Sequence, residues 1–461
     1  MDKSFKVSGM SCQNCAKTVE KHLKDFDQVL EAKVDLESQT AQVQSDHDLG
    51  PDDLNVALAD TPYRIEKNWA YKLKKRRKTS TILGKMVLVL FMKEGGKMVK
   101  AYLPFRFRYT PIVQTVLIKF TKDPDYLYHS LELQVFDQNG KRYAQVLAWR
   151  PDGYKDVYQE AGLSLDQGEL NMVVGGRGVG DLQETASFGP TTFEEADGQV
   201  RIKFSFTDKN RREIAFSVVE DLEDGVHLSW LPSIGAQWEA PTSVPLFFLY
   251  EFDFVKKNGS QLDFIIDGVD HQVDPYAFPK GFQSRLDIEY SLESVMTNFN
   301  EAREEELVEL DLAESGKASQ GDQDYYYQIA GDKPHLEKMV MKEGHHPVAV
   351  EFDPAFPDYT EIEESLPQFG QFSIKPSQEL GDLTGKYNVV KQENKVIINL
   401  AFSEGWNPNQ GETYFDLIRQ RTTTRLTDWY KSLQCTEIID LNDMTVSVKW
   451  KKVDPDRHQQ L

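Results

Sequence analysis

The chain has 461 residues, 53 basic and 74 acidic side chains, a formal net charge of -21, 40% hydrophobic residues and three cysteines. That length predicts two to four domains. The acidic balance argues against a nucleic-acid binder, because phosphate contacts need a positive face, and three cysteines are too few for a disulfide framework. No apolar run approaches the ~20 residues that a membrane-spanning helix needs, and no apolar h-region follows Met1-Asp2-Lys3-Ser4, so the expectation is a cytoplasmic protein in a reducing compartment.

Residues 1–67 carry eight basic and thirteen acidic side chains and read as strand, helix, strand, strand, helix, strand. Residues 4–7 alternate as a short strand. Ala16, Val19, Leu23 and Phe26 recur at helical spacing. Ala32, Val34 and Leu36 share one face of a second strand, Ser38-Gln39 marks a turn, and residues 40–44 form the return strand. Gly50-Pro51-Asp52-Asp53 is a helix start, with proline in the first turn and carboxylates at the positive end of the dipole. Leu54, Val56, Ala57 and Leu58 give that helix its apolar side, and residues 62–65 begin the last strand. This βαββαβ order predicts a ferredoxin-like α+β domain.

The chemistry in this segment lies in Gly9-Met10-Ser11-Cys12-Gln13-Asn14-Cys15. Two cysteines three apart, behind a strand and at a helix start, suit a soft metal. The thiolate is the ligand, and the free N–H groups and dipole of a helix start favour negative charge there. Cys12 and Cys15 can face one ion from the loop and the first helical turn. Two thiolates without a further ligand fit Cu(I), whereas structural zinc takes four ligands. Met10 reads as a buried plug under the loop. A redox dithiol would also show two cysteines at this spacing after a strand, but the Gly-Met lead-in and the element order speak against it. His47 reads as a solvated loop residue and not as a further ligand.

The run Gly-Met-Ser-Cys-Gln-Asn-Cys, followed by Ala16-Lys17-Thr18-Val19-Glu20 and Leu23, resembles the heavy-metal-associated domain of copper chaperones and P-type heavy-metal ATPases over residues 3–67. The resemblance implies Cys12 and Cys15 as metal ligands, Met10 as support for the loop, and Tyr63 as an aromatic near the site. It implies copper first, with zinc, cadmium or mercury as the cargo of some relatives; the expected recipient is a metal-transporting ATPase or the protein's own β-rich region. Thr61-Pro62 stands where the family usually has a glycine, and proline fixes φ in that loop.

Residues 68–85 carry seven basic and no acidic side chains, six of them Lys72, Lys74, Lys75, Arg76, Arg77 and Lys78. They read as a basic linker, with contact to an anionic membrane surface as the lesser reading. Beyond it the pattern is β, with strand-like runs at 112–120, 128–136, 200–206, 214–219, 246–254, 262–266, 387–390, 396–402 and 444–450. Asn139-Gly140 and Asn258-Gly259 predict hairpin turns with positive φ; Asp208-Lys209-Asn210 and Glu393-Asn394 predict looser ones. The expectation is two β-rich domains, 86–300 and 326–461, built as antiparallel barrels or sandwiches, with an acidic, polar connector at 301–325.

No motif in the β region names a reaction. The glycines of Gly175-Gly176-Arg177-Gly178-Val179-Gly180 follow a strand-like 170–174 but lack dinucleotide-loop spacing. His345-His346 precedes a strand, where neighbours point to opposite faces, and Asp267 and Asp270 flank a Gly268 turn. Alternating aromatics at Phe248, Tyr250, Phe252 and Phe254 read as sheet core, or as the lining of a lipocalin-like cavity. The sequence thus predicts soft-metal binding and transfer at Cys12 and Cys15, fused to a β-rich region. The alternative is an enzyme or small-molecule carrier, with its site in a C-terminal barrel and the first domain as sensor or docking arm.

Overall fold

A computed structural model describes residues 2–8, 13–24, 26, 29–36, 40–45, 49, 54–55, 57–58, 61, 63–65, 99–120, 127–222, 228–232, 240–276, 284–376, 380–409 and 427–454. The chain divides into two compact units, Met1–Gly96 and Lys97–Leu461.

The first unit contains β1 (Asp2–Ser8), α1 (Gln13–Lys24), β2 (Val29–Asp35), β3 (Thr40–Ser45) and β4 (Arg64–Ile65). The strands form one antiparallel sheet in the order β2-β3-β1-β4. Residues 54–55 and 57 are helical between β3 and β4, so the order is that of a ferredoxin-like fold. Alternation buries Phe5 and Val7 on β1 and Ala41 and Val43 on β3, while helical spacing buries Ala16, Val19 and Leu23. These residues join Val29, Ala32, Leu49, Leu54, Leu58 and Ile65 in one core. Glu20 on α1 accepts a hydrogen bond from the Val34 N–H at 3.1 Å, which ties the helix to edge strand β2. The turn expected at 38–39, the helix start at 50–53, Pro62 and the basic run 72–78 lie outside the described residues.

The second unit opens with β5 (Lys100–Tyr102), β6 (Phe107–Thr110), β7 (Ile112–Lys119), β8 (Ser130–Gln138), β9 (Lys141–Trp149), β10 (Lys155–Gln159), α2 (Gln167–Val174) and β11 (Val179–Gln183). It continues with β12 (Thr192–Ala196), β13 (Gln199–Thr207), β14 (Glu213–Asp221), β15 (Leu228–Trp230), β16 (Val244–Lys256), β17 (Ser260–Ile266), β18 (Val269–Asp270) and β19 (Arg285–Phe299). A nine-stranded sheet runs β11-β10-β9-β8-β7-β19-β16-β15, with β6 also on β19, and a five-stranded sheet runs β12-β13-β14-β17-β18. The two pack face to face: Val116, Ile118, Leu131, Leu133 and Val146 share a core with Ile202, Phe204, Phe216, Val218 and Phe264.

Two expectations fail here. Residues 170–174 are not strand-like; they end α2, which is started by a capping box in which Asp166 accepts from the Glu169 N–H and Glu169 accepts from the Asp166 N–H. Asn258-Gly259 does not join paired strands, because β16 belongs to the nine-stranded sheet and β17 to the five-stranded one. The turn carries the chain from one sheet to the other, with Gly259 at φ 94°. Asn139-Gly140 does close the β8–β9 hairpin, at φ 57° and 73°.

On the face away from the five-stranded sheet, register aligns Ser291, Thr115, Gln134, Gln145 and Gln159 across five strands. Gln159 donates to Gln145 and Gln145 to Gln134, each at 2.8 Å; Gln134 donates to Glu132 and to the Val173 carbonyl at the end of α2. Lys155 is buried against the Trp149 ring and donates to the Val174 carbonyl; burial pushes its ammonium pKa down.

The rest of the chain is β20 (Arg303–Glu306), β21 (Glu309–Asp311), β22 (Lys317–Gln320), β23 (Gln323–Ala330), β24 (Lys333–Met341), β25 (Val348–Phe356), β26 (Gln368–Lys375), β27 (Leu383–Gln392), β28 (Lys395–Phe402), β29 (Leu433–Asp440) and β30 (Thr445–Lys452). The acidic stretch 301–325, expected as a connector, carries three short strands, because β20 finds β30, β21 finds β5 and β22 finds β23 as partners. A ten-stranded antiparallel sheet runs β20-β30-β29-β28-β27-β26-β25-β24-β23-β22. Both of its ends reach residues 103–108. From one end Arg303 donates to the Pro104 carbonyl at 2.7 Å, and Arg106 pairs with Glu305 at 2.8 Å. From the other, the Gln323 carboxamide bonds both the N–H and the carbonyl of Phe107. Phe105 is wholly buried between these ends, 5.4 Å from Phe352 and 4.9 Å from Phe356. Phe352, Phe356, Phe372, Tyr387 and Phe402 pack in the core of this sheet; of the aromatics on β16, Phe248 and Tyr250 join the same core, and Phe252 and Phe254 a separate one.

Candidate metal centre

In the first unit, register sets Tyr63 beside the end of β1. Ser8, the last residue of β1, pairs with Arg64, the first residue of β4. Tyr63 therefore enters the sheet at the end of β1, where the chain leaves toward residues 9–12 and α1. Cys15 sits in the first turn of α1. Met10 and Cys12 lie outside the described residues, as does His47.

The electrostatics of α1 favour an anion at this end. No acidic side chain occupies its first turn, and Lys21, His22 and Lys24 occupy its last. The unpaired N–H groups of a helix start, with the dipole behind them, stabilise a thiolate over a thiol. Lys24 pairs with Glu20 at 2.5 Å, and that bond, followed by the one from the Val34 N–H, holds the Glu20 carboxyl below its ordinary range. The His22 ring nitrogen Nδ1 lies 2.9 Å from the Thr18 carbonyl, one turn earlier in the helix.

Local bonds set the approach to Tyr63. Thr61 Oγ1 donates to the Leu58 carbonyl at 2.8 Å and accepts from the Tyr63 N–H at 3.3 Å. Arg64 folds back onto the carbonyls of Leu58, Thr61 and Tyr63 at 2.6 to 3.0 Å. The Tyr63 ring packs, partly buried, against the core of the unit.

Elsewhere the predicted candidates take structural places. His345 is exposed, while His346 stacks on Tyr250 with ring centroids 3.7 Å apart and bonds Glu293 at 2.7 Å. Asp267 and Gly268, at φ 50° and 77°, form the turn between β17 and β18. Gly175 caps α2, and residues 181–183 belong to β11. Among the described residues, no group of three or more His, Cys, Asp or Glu side chains converges as a metal site.

A buried polar cluster escaped the sequence reading. Cys435 and Glu437 point to the inner face of the ten-stranded sheet. Asn300 Nδ2 donates to Glu437 Oε2 at 3.1 Å and lies 3.7 Å from Cys435 Sγ; Arg303 donates to Asn300 Oδ1 at 2.7 Å. Burial pushes the Glu437 carboxyl up to about 7, against Arg303 and Asn300, and pushes the Cys435 thiol well above its ordinary value. A protonated thiol is a poor metal ligand. The signal for this cluster was a glutamate in register with Leu433, Cys435 and Ile439 on one strand face.

No helix among the described residues is long and apolar enough to cross a membrane. No curated protein matches the chain. Residues 4–64 match the model of the heavy-metal-associated domain. The chain thus carries a heavy-metal-associated domain at residues 4–64, and with that domain goes heavy-metal binding.

Proposed function

We propose that the first unit binds one soft metal ion, Cu(I) before zinc, cadmium or mercury, through the thiolates of Cys12 and Cys15. The observation that carries this reading is the match of residues 4–64 to the heavy-metal-associated domain, with Cys15 in the first turn of a helix free of acidic side chains there. Cu(I) accepts two thiolates and little else, so an ion held this way stays open to attack by an incoming thiolate. Transfer then proceeds by ligand exchange: one acceptor thiolate binds as one Cu–S bond to this protein breaks, and a second acceptor thiolate then displaces the other. The recipient is a metal-transporting ATPase or the protein's own β-rich unit, in the cytoplasm. Met10 supports the loop and Tyr63 shields the ion from the sheet side. Residues 68–85 act as a basic linker, so limited trypsin releases an N-terminal fragment of roughly 70–80 residues.

The test is a competition titration of the full chain with Cu(I) bathocuproine disulfonate under reducing conditions. The unaltered protein takes up one Cu(I) per chain. The Cys12→Ser, Cys15→Ser double variant loses at least a hundredfold in affinity. Equal uptake by the variant overturns the reading.

A further inference from the structure

The outer face of the ten-stranded sheet holds a feature that metal binding does not use. Phe369, near the start of β26 on that face, is 60% exposed, although a phenyl ring gains by burial. Register places Asn388, Asn399 and Thr436 beside it on successive strands. Neighbouring strands lie about 4.8 Å apart, so the row extends over about 14 Å. Thr436 Oγ1 donates to Asn399 Oδ1 at 2.9 Å, and Asn399 Nδ2 donates to Asn388 Oδ1 at 3.0 Å. The hydrogen-bond chain thus runs toward the phenyl ring and ends on Asn388, whose own amide N–H groups have no partner among the described residues.

A cavity of about 330 Å³ opens here, lined by Phe369, Gln371, Lys386, Asn388, Asn399 and Asp353. The side chains of Gln371 and Lys386 make no hydrogen bond among the described residues. One apolar ring therefore lies amid amide donors and acceptors, one cation and one anion. The cation and the anion cancel, so the groove has no net charge to select an ionic ligand, and an apolar ligand would strand the amides. It fits a polyhydroxylated ring, whose C–H face stacks on an aromatic while its rim of hydroxyls donates and accepts.

We propose that this groove binds a neutral saccharide, with Phe369 as the stacking platform and Asn388, Gln371, Lys386 and Asp353 as its hydroxyl partners. Several aligned strands offer room for more than one sugar unit.

The test is affinity electrophoresis of the full chain in native gels containing soluble neutral polysaccharides: a mixed-linkage β-glucan, xylan, galactomannan and starch. At least one should retard the unaltered protein. Phe369→Ala and Asn388→Ala should each reduce that retardation at least tenfold, with far-ultraviolet circular dichroism unchanged because both side chains lie on the outer face. Retardation by none of the four overturns the proposal. So does retardation that Phe369→Ala leaves intact. If Phe369→Ala instead alters only the elution volume in size-exclusion chromatography, the ring belongs to a protein contact and the proposal falls.

Discussion

The carboxamide of Asn55 brackets the backbone of Ile65: its Nδ2 donates to the Ile65 carbonyl at 3.0 Å, and its Oδ1 accepts from the Ile65 N–H at 2.7 Å. Ile65 lies on β4, an edge strand. A helical side chain thus does for that edge what a further strand would do, and it fixes the entry of Tyr63. Asn55→Ala should destabilise the first unit by about 1–3 kcal/mol, the cost of leaving such groups unpaired. Amide exchange of the full chain should show faster exchange at Ile65 and Arg64. Unchanged protection there would mean that β4 is held by Val7 and Ser8 alone.

Glu437 makes stability depend on pH. Its folded carboxyl is raised from 4.5 to about 7, mainly by burial. The folded state therefore keeps a proton that the unfolded chain releases. The contribution is full below pH 4.5 and is lost as pH rises through 7, so stability falls across that window. Glu220, also raised to about 7 by burial, acts in the same direction. Glu437→Gln removes the penalty and keeps an acceptor for Asn300. At pH 8 it should be the more stable protein, by up to about 3 kcal/mol, because each tenfold change in proton affinity is worth about 1.4 kcal/mol. Urea unfolding at pH 5 and pH 8 checks this; a variant less stable at both would show that the carboxylate is needed.

Asn300 combines a side-chain role with a backbone one. It sits at φ 53°, and its carbonyl accepts from Trp450 Nε1 at 2.6 Å. Asn300→Gly deletes the bonds to Glu437 and Arg303 but keeps the conformation, and should cost about 1–3 kcal/mol. Asn300→Ala adds left-handed strain and should cost about 1 kcal/mol more. Equal unfolding midpoints for the two variants would show that the backbone relaxes without penalty.

Two glycines face two aromatics across strands. Gly370 pairs with Tyr387, and Phe372 pairs with Gly385. A Cβ at Gly385 would lie 2.3 Å from the Phe372 ring and 2.7 Å from the Ala401 carbonyl, so the rings use the space that the glycines leave. Gly385→Ala should destabilise the second unit by about 1–3 kcal/mol through overpacking, read as a lower thermal midpoint. An unchanged midpoint would mean that the Phe372 ring swings aside freely.

What the sequence disclosed follows from the range of each interaction. Ala16, Val19 and Leu23 were legible because helical spacing is local, and so were residues 112–120 and Asn139-Gly140. The α2 segment was misread because Leu170, Met172, Val173 and Val174 form an apolar run without a period. The better signal was Asp166 with Glu169 three residues on, a capping box. Asn258-Gly259 told that the chain turns but not which strands flank it, since β14 is the partner of β17. The Asn300–Glu437 bond joins residues 137 apart, beyond any local pattern.

The seating of Phe105 orders events during synthesis. Residues 103–108 leave the ribosome some two hundred residues ahead of the strands that enclose them, and contacts of such separation form late and slowly. Until β20 and β23 arrive, Phe105, Phe107 and the backbone groups later held by Arg303 and Gln323 remain uncovered. The ten-stranded sheet must then condense around a segment already present, and a nascent chain halted before residue 323 should depend on holdase chaperones to stay out of aggregates.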